Sequence, residues 1–244
     1  MSQPVSFDRL AGRYDELRPV DEHWWEVFDA IVRLGELRGK RVLEVGCGTG
    51  RLSEALEARA HARAWAVDAS AAMVERAKAL GVNARVARAE ALPFKPGWFD
   101  AVVFRMAAHV VDRPRAFAEA ARVLGPGGVV VVATEDPDGF EGVWFTPFFP
   151  SAVVIERERF PDEAALRADL AAAGFDGGAV AVERLTQRHS IERDRALDIL
   201  RTKAYSTFEL LPPAEYDAGL AAAEASLPAT TAYDYHWLFA TAAR

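Results

Sequence analysis

From residue 41 onward the apolar and polar positions alternate between two rhythms. The short apolar runs RVLEVG, RAWAVD, DAVVFRM and VVVVATE are bounded by Gly, Asp or Pro and predict strands. Between them GRLSEALEARA, SAAMVERAKAL and DRPRAFAEAARVL repeat apolar residues at helical spacing and predict helices. ARVARAE reads as a further strand, followed by the turn-rich LPFKPGWFD, and GPGG reads as a turn. Asp112 can cap the helix that follows it, because a short carboxylate accepts from the free N–H groups of a first turn. Pro114 is tolerated there, since it has no N–H to leave unpaired. Short apolar strands alternating with helices imply a parallel sheet covered on both faces. Right-handed crossovers then give an α/β fold with a doubly wound, Rossmann-like sheet.

The flanks are organised differently. EHWWEVFDAIVRLGEL places Trp24, Trp25, Phe28, Ile31 and Val32 at helical spacing and ends at Gly35 and Gly39. After Glu135 comes the aromatic, Gly- and Pro-rich DPDGFEGVWFTPFFP. PDEAALRADLAAAGF then predicts a helix ending at Gly174, and AVAVERLTQRHSI and TAYDYHWLFATAA predict two late strands. Between those strands RDRALDILRTKAY and PAEYDAGLAAAEASL read as helices around ELLPP. The expected organisation is an N-terminal helical segment over 1–40 and an α/β domain over 41–244, with 191–228 as a helical cap insertion.

Composition narrows the function. The 244 residues are 51% hydrophobic and 27% charged, ordinary for a globular chain with a real core. No apolar run approaches the roughly 18 residues of a membrane span, and the N-terminus has no signal-peptide pattern. A lone cysteine, Cys47, excludes an internal disulfide framework and a cysteine-built metal site, and no H-E-x-x-H pair suggests a metal. A soluble cytoplasmic protein is the expectation. The net charge of −7 and the absence of a Lys/Arg block disfavour nucleic acid as a partner. Oligomeric state stays open.

The chemistry begins at VLEVGCGTGRL, Val42 to Leu52. A parallel sheet binds ligands beyond the carboxyl ends of its strands. Gly46, Gly48 and Gly50 let the backbone approach a ligand closely, and the next helix offers unpaired N–H groups and a positive dipole end. The spacing is G-x-G-x-G, with Arg51 where a dinucleotide fingerprint has its third glycine. Asp68, closing the second strand, can accept both hydroxyls of a ribose. Glu44, inside the first strand, needs a donor or a cation. These features describe a pocket for an adenosine-bearing cation better than a pyrophosphate cradle.

VLEVGCGTG, then AVDAS, then AEALPFKPGWFDAVVF, then RVLGPGGVVVVATE resemble the ordered motifs of class I S-adenosylmethionine-dependent methyltransferases. The likeness is greatest to the small-molecule group that includes ubiquinone- and menaquinone-type enzymes, and it covers residues 7–135 well. It implies a seven-stranded methyltransferase sheet, S-adenosyl-L-methionine as cofactor and a small-molecule acceptor. It further implies that Glu44, Gly46, Cys47 and Gly48 line the methionine end of the cofactor and that Asp68 holds the ribose. Ala69 and Met73 would flank the adenine, Ala89 and Glu90 would lie at its edge, and Arg105 would sit near the methionine moiety. Tyr14 resembles a tyrosine that closes over the cofactor in relatives. Arg88 stands where the family often has an adenine-binding aspartate, and arginine cannot accept that bond.

His109 follows the fourth strand in RMAAHVVD and is the candidate general base; loop anchoring is its alternative. RNA or tRNA methylation on the same fold, and a non-catalytic S-adenosylmethionine-binding protein, are the competing readings.

Overall fold

A computed structural model describes residues 14–175 and 180–244. The chain opens with α1 (Tyr14–Leu17), α2 (Glu22–Leu34), β1 (Arg41–Val45), α3 (Arg51–Ala60), β2 (Arg63–Asp68) and α4 (Ala71–Ala79). β3 (Ala84–Val86), β4 (Phe99–Arg105), α5 (Arg113–Val123) and β5 (Leu124–Glu135) follow. Then come α6 (Pro150–Arg159), α7 (Glu163–Ala172), β6 (Ala181–Glu192), α8 (Arg193–Arg201), α9 (Thr207–Leu210), α10 (Pro213–Ser226) and β7 (Thr230–Ala243). These elements divide into two compact units. The larger runs as far as Thr134 and takes in Glu163–Glu183 and Leu238–Arg244. The smaller holds Glu135–Asp162 and Arg184–Trp237.

The sheet has seven strands in the order β3-β2-β1-β4-β5-β7-β6. β1 pairs in parallel with both β2 and β4, so the strand order reverses beside β1, the point at which open α/β sheets bind ligands. β2–β3 and β4–β5 are also parallel. At the chain end, Gly127 N–H donates to the Arg244 carbonyl (3.1 Å) and Arg244 N–H to the Gly128 carbonyl (2.9 Å). The end of β7 therefore lies beside the start of β5 and runs antiparallel to it. The sheet is mixed, and the expectation of parallel pairing describes β1 to β5.

The larger core packs Leu43, Val45, Phe99, Val102, Phe104, Val130 and Val132 from the strands against Phe117 of α5 and Leu166 and Leu170 of α7. Phe104 meets Phe117 edge-on at 5.3 Å between ring centres. Each such ring contributes about 1.5–3 kcal/mol by leaving water. α5 starts as its sequence dictates, with Asp112 accepting from the Arg115 N–H at 3.3 Å and proline in the first turn.

Two boundaries differ from the sequence expectation. The ARVARAE strand stops at Val86, because Ala91 N–H turns back to the Arg88 carbonyl (3.1 Å) and Glu90 accepts from the Asp112 N–H (2.9 Å). GPGG is not a separate turn but an irregular stretch inside β5. Phe99 pairs with Leu124 and Ala101 with Val129, so the glycines absorb a bulge.

In the smaller unit, Phe145, Phe149, Phe208 and Tyr216 form an aromatic core, with Phe145 and Phe149 at 5.1 and 5.4 Å from Phe208. Lys203 Nζ rests over the Tyr216 ring at 3.9 Å.

Candidate functional site

The loop between β1 and α3 has the left-handed backbone that glycine alone adopts readily. Gly46, Gly48 and Gly50 have φ of +77°, +53° and +86°. A Cβ at Gly46 would stand 2.6 Å from the Ala107 Cβ. The loop is also tied to β2. Gly46 and Cys47 N–H groups both donate to the Val67 carbonyl, at 2.9 and 3.0 Å. Gly48 N–H donates to Asp68 Oδ2 at 2.8 Å, and Ser70 N–H to Asp68 Oδ1 at 2.9 Å. Two of the carboxylate's roughly four acceptor positions thus shape the cradle itself. No side chain caps the N-terminus of α3.

Under the loop lies Glu44, 4% exposed. Ser53, the third residue of α3, donates from Oγ to Glu44 Oε2 at 2.5 Å. Burial pushes the Glu44 carboxyl from its ordinary 4.5 up to about 7, opposed by the Ser53 hydroxyl and then by the positive charge of Arg105. Arg105 ends β4, and its guanidinium carbon lies 5.3 Å from the centre of the Trp24 ring on α2.

Cys47 is buried among Ala66, Val74, Ala77, Val82 and Ala84, and burial pushes its thiol pKa up, away from the reactive thiolate. Ala69 is exposed just before Ser70, which caps α4 by accepting from the Met73 N–H at 3.2 Å. Met73 is 2% exposed and Ala89 is buried in the main core. Glu90 faces the Arg88 guanidinium at 3.2 Å, so Arg88 is held by the neighbouring carboxylate. His109 lies in the turn after β4 with its Nδ1 buried. Tyr14 begins α1, but its side chain lies outside the described residues.

Sequence reasoning missed several members. Asp15 of α1 accepts from the Thr49 hydroxyl at 2.6 Å and approaches Arg51 and Arg76 at 3.5 and 3.9 Å. α1 is therefore fastened to the glycine loop. Ser53 went unmarked, and Trp24 was not marked as a site residue. Nine residues separate Ser53 from Glu44, and helical spacing marked Trp24 only as an apolar position. No local motif announces either contact.

A methyltransferase domain family matches residues 43–132, which span β1 to β5. The demethylmenaquinone methyltransferase of Thermus thermophilus is 32% identical over 201 residues, covering 69% of this chain and 90% of that one. The malonyl-[acyl-carrier protein] O-methyltransferase of Hahella chejuensis is 39% identical over 136 residues, covering 53% of this chain and 48% of that protein. The alignment thus spans about half the length of the Hahella relative. Among solved structures, a putative methyltransferase from an antibiotic biosynthesis pathway of Anabaena variabilis superimposes with a TM-score of 0.68 at 19% identity, covering 88% of this chain and 96% of that one, a likeness of fold. By its ordered motifs, its sheet and the Thermus relative, the chain belongs to the class I S-adenosylmethionine-dependent methyltransferases, in the group of quinone-type enzymes.

Proposed function

We propose that this protein moves a methyl group from S-adenosylmethionine to an oxygen, nitrogen or carbon nucleophile of a small molecule. The observation that carries the reading is the Gly46–Gly50 loop, closed onto Asp68 above the buried Glu44. The donor set fits the cofactor. The left-handed glycines leave room for close approach, Asp68 can accept ribose hydroxyls, and Glu44 can receive an ammonium group. Gly46, Cys47 and Gly48 then supply backbone along the methionine end. Ala69 and Met73 flank the adenine, Ala89 and Glu90 edge it, and Tyr14 covers it. Bound there, the cofactor supplies a methyl group already activated on a sulfonium. The protein's own work is alignment and exclusion of water. His109 takes the proton from acceptors that must lose one.

The acceptor reading is supported by relatives named for ubiquinone and menaquinone biosynthesis. The net charge of −7 argues against a nucleic-acid substrate. No helix among the described residues is long and apolar enough to cross a membrane. A lone cysteine suits a reducing compartment, and the cytoplasm is the proposed setting.

Calorimetric titration with S-adenosylmethionine, S-adenosylhomocysteine and NAD tests the cofactor. Binding of the two sulfur compounds, abolished in Asp68→Ala, is expected. Binding of NAD alone, or full affinity in Asp68→Ala, would overturn the reading. For the base, His109→Ala should keep binding and slow transfer of a labelled methyl group to protic acceptors; unchanged turnover would remove His109 from that role.

A further inference from the structure

We propose that the groove between α2 and α3 is a second small-molecule site, separate from the glycine cradle, and that it takes a single-ring aromatic carboxylate. Arg59 holds the carboxylate, and Trp24 and Trp25 receive the ring. The site lies wholly in the larger unit, and the inference is independent of the cofactor reading.

The groove has a volume of about 220 Å³. Sites for drug-sized ligands run from about 300 to 1,000 Å³, so this one suits one ring with its substituent. Its α3 wall carries Arg51, Glu54, Ala55, Ala58 and Arg59. Spacings of three and four put these residues on one face of the helix. The short side chains of Ala55 and Ala58, one turn apart, leave the room for a ring. The indoles of Trp24 and Trp25 line the same groove from α2, edge-on to each other at 4.8 Å between ring centres.

The charges on the wall are unevenly matched. Arg51 lies 3.4 Å from Glu54 and 3.5 Å from Asp15, so its end of the groove is compensated. Arg59, two turns on, is exposed and forms no ion pair among the described residues. Its guanidinium carbon lies 4.0 Å from the centre of the Trp25 ring. Attraction to the ring face steadies the cation, while its N–H donors lie in their own plane, suited to a bidentate carboxylate.

An exposed arginine alone would take any anion, and weakly, because water and salt screen it. Indole surface alone would take any apolar ring. Together they select a ligand that carries both features. The ring leaves water against Trp24 and Trp25 while the carboxylate meets the uncompensated cation of the wall. A neutral ring forfeits the charged hydrogen bonds, and a carboxylate without a ring forfeits the apolar contact.

The matched probes are benzoate, benzyl alcohol and acetate, titrated against the full chain by ligand-observed NMR. Benzoate should bind with a Kd on the order of 1 mM, ordinary for a ligand of its size. Benzyl alcohol and acetate should each bind about 10-fold more weakly. Arg59→Met should bring benzoate down to the level of benzyl alcohol while moving benzyl alcohol less than about 3-fold. Arg59→Lys, which keeps the charge without the planar fork, should retain part of the preference. Ala58→Leu, at an exposed helical position, should fill the groove, abolish binding of benzoate and benzyl alcohol, and leave the thermal midpoint unchanged. No binding of benzoate at about 10 mM, a preference that survives Arg59→Met, or native affinity in Ala58→Leu would overturn the proposal.

Discussion

Each of the two units buries a glutamate, and the two are treated differently. Glu44 in the larger unit is 4% exposed and Glu156 in the smaller is 6% exposed. Each accepts from a hydroxyl at 2.5 Å, Ser53 for the first and Thr207 for the second. Burial raises the pKa of both. The difference lies in the cation. Arg159 bonds Glu156 directly at 2.8 Å and also donates to the Ser206 hydroxyl at 2.8 Å, so α6 and the start of α9 are clamped by a completed pair. At Glu44 the cation is Arg105, which acts through its field and is anchored on Trp24. A carboxylate whose cation is already bonded to it is structural. At Glu44 the proposed role is to receive the ammonium group of the cofactor.

The largest effect should come from breaking the closed pair. Glu156→Ala leaves the half-buried Arg159 without its carboxylate and should destabilise the protein by about 3 kcal/mol. Urea unfolding measures this, and an unchanged midpoint would show that the pair is not the clamp described. Cofactor affinity should be unaffected, in contrast to Glu44→Gln, which should weaken binding with little loss of stability.

A pH series sharpens the contrast. The folded Glu44 carboxyl is raised from 4.5 to about 7, so between these values the native state holds a proton that the unfolded state has released. Stability is therefore lost as pH rises through this window, by on the order of 3 kcal/mol for the ligand-free protein. Glu44→Gln, permanently neutral, should gain on the native protein as pH rises from 4.5 to 7 and hold that gain above it. A constant difference in thermal midpoint across the series would refute the shift. Cofactor affinity should move oppositely in the native protein, strengthening as the carboxylate forms.

Smaller effects test the frame. Gly46→Ala combines a left-handed φ of +77° with a contact of 2.6 Å to Ala107 and should destabilise the loop by about 1–3 kcal/mol, read as weaker cofactor binding. The exposed Arg33–Glu183 pair, 59% and 41% exposed at its side chains, is the control. Arg33→Ala should change stability by less than about 1 kcal/mol, and a larger change would mean that exposure is a poor guide to which carboxylates matter here.

Much of this was legible along the chain. The alternation of apolar strands and amphipathic helices is local, and β1, β2, β4, α3 and α5 fall where the pattern places them, within a residue or two. The glycine loop was equally readable, because left-handed backbone leaves a mark in residue type. α6 was not read from the sequence, since PSAVVIERER has apolar residues in a short cluster without a clear stripe. The short β3 was overread, because what ended it includes a bond that Glu90 accepts from a residue 22 positions away.

The sequence by itself determined the strand–helix rhythm, the glycine cradle, Asp68 at the end of β2 and the buried carboxylate of Glu44, since each depends on residue type at fixed local spacing. Tertiary structure alone decided the antiparallel β7, the fastening of Asp15 to Thr49, the bond from Ser53 to Glu44 and the seat of Arg105 on Trp24. The reason is sequence distance. Eighty-one positions separate Trp24 from Arg105, and only the folding of α2 and β4 into one unit brings a ring beneath that cation.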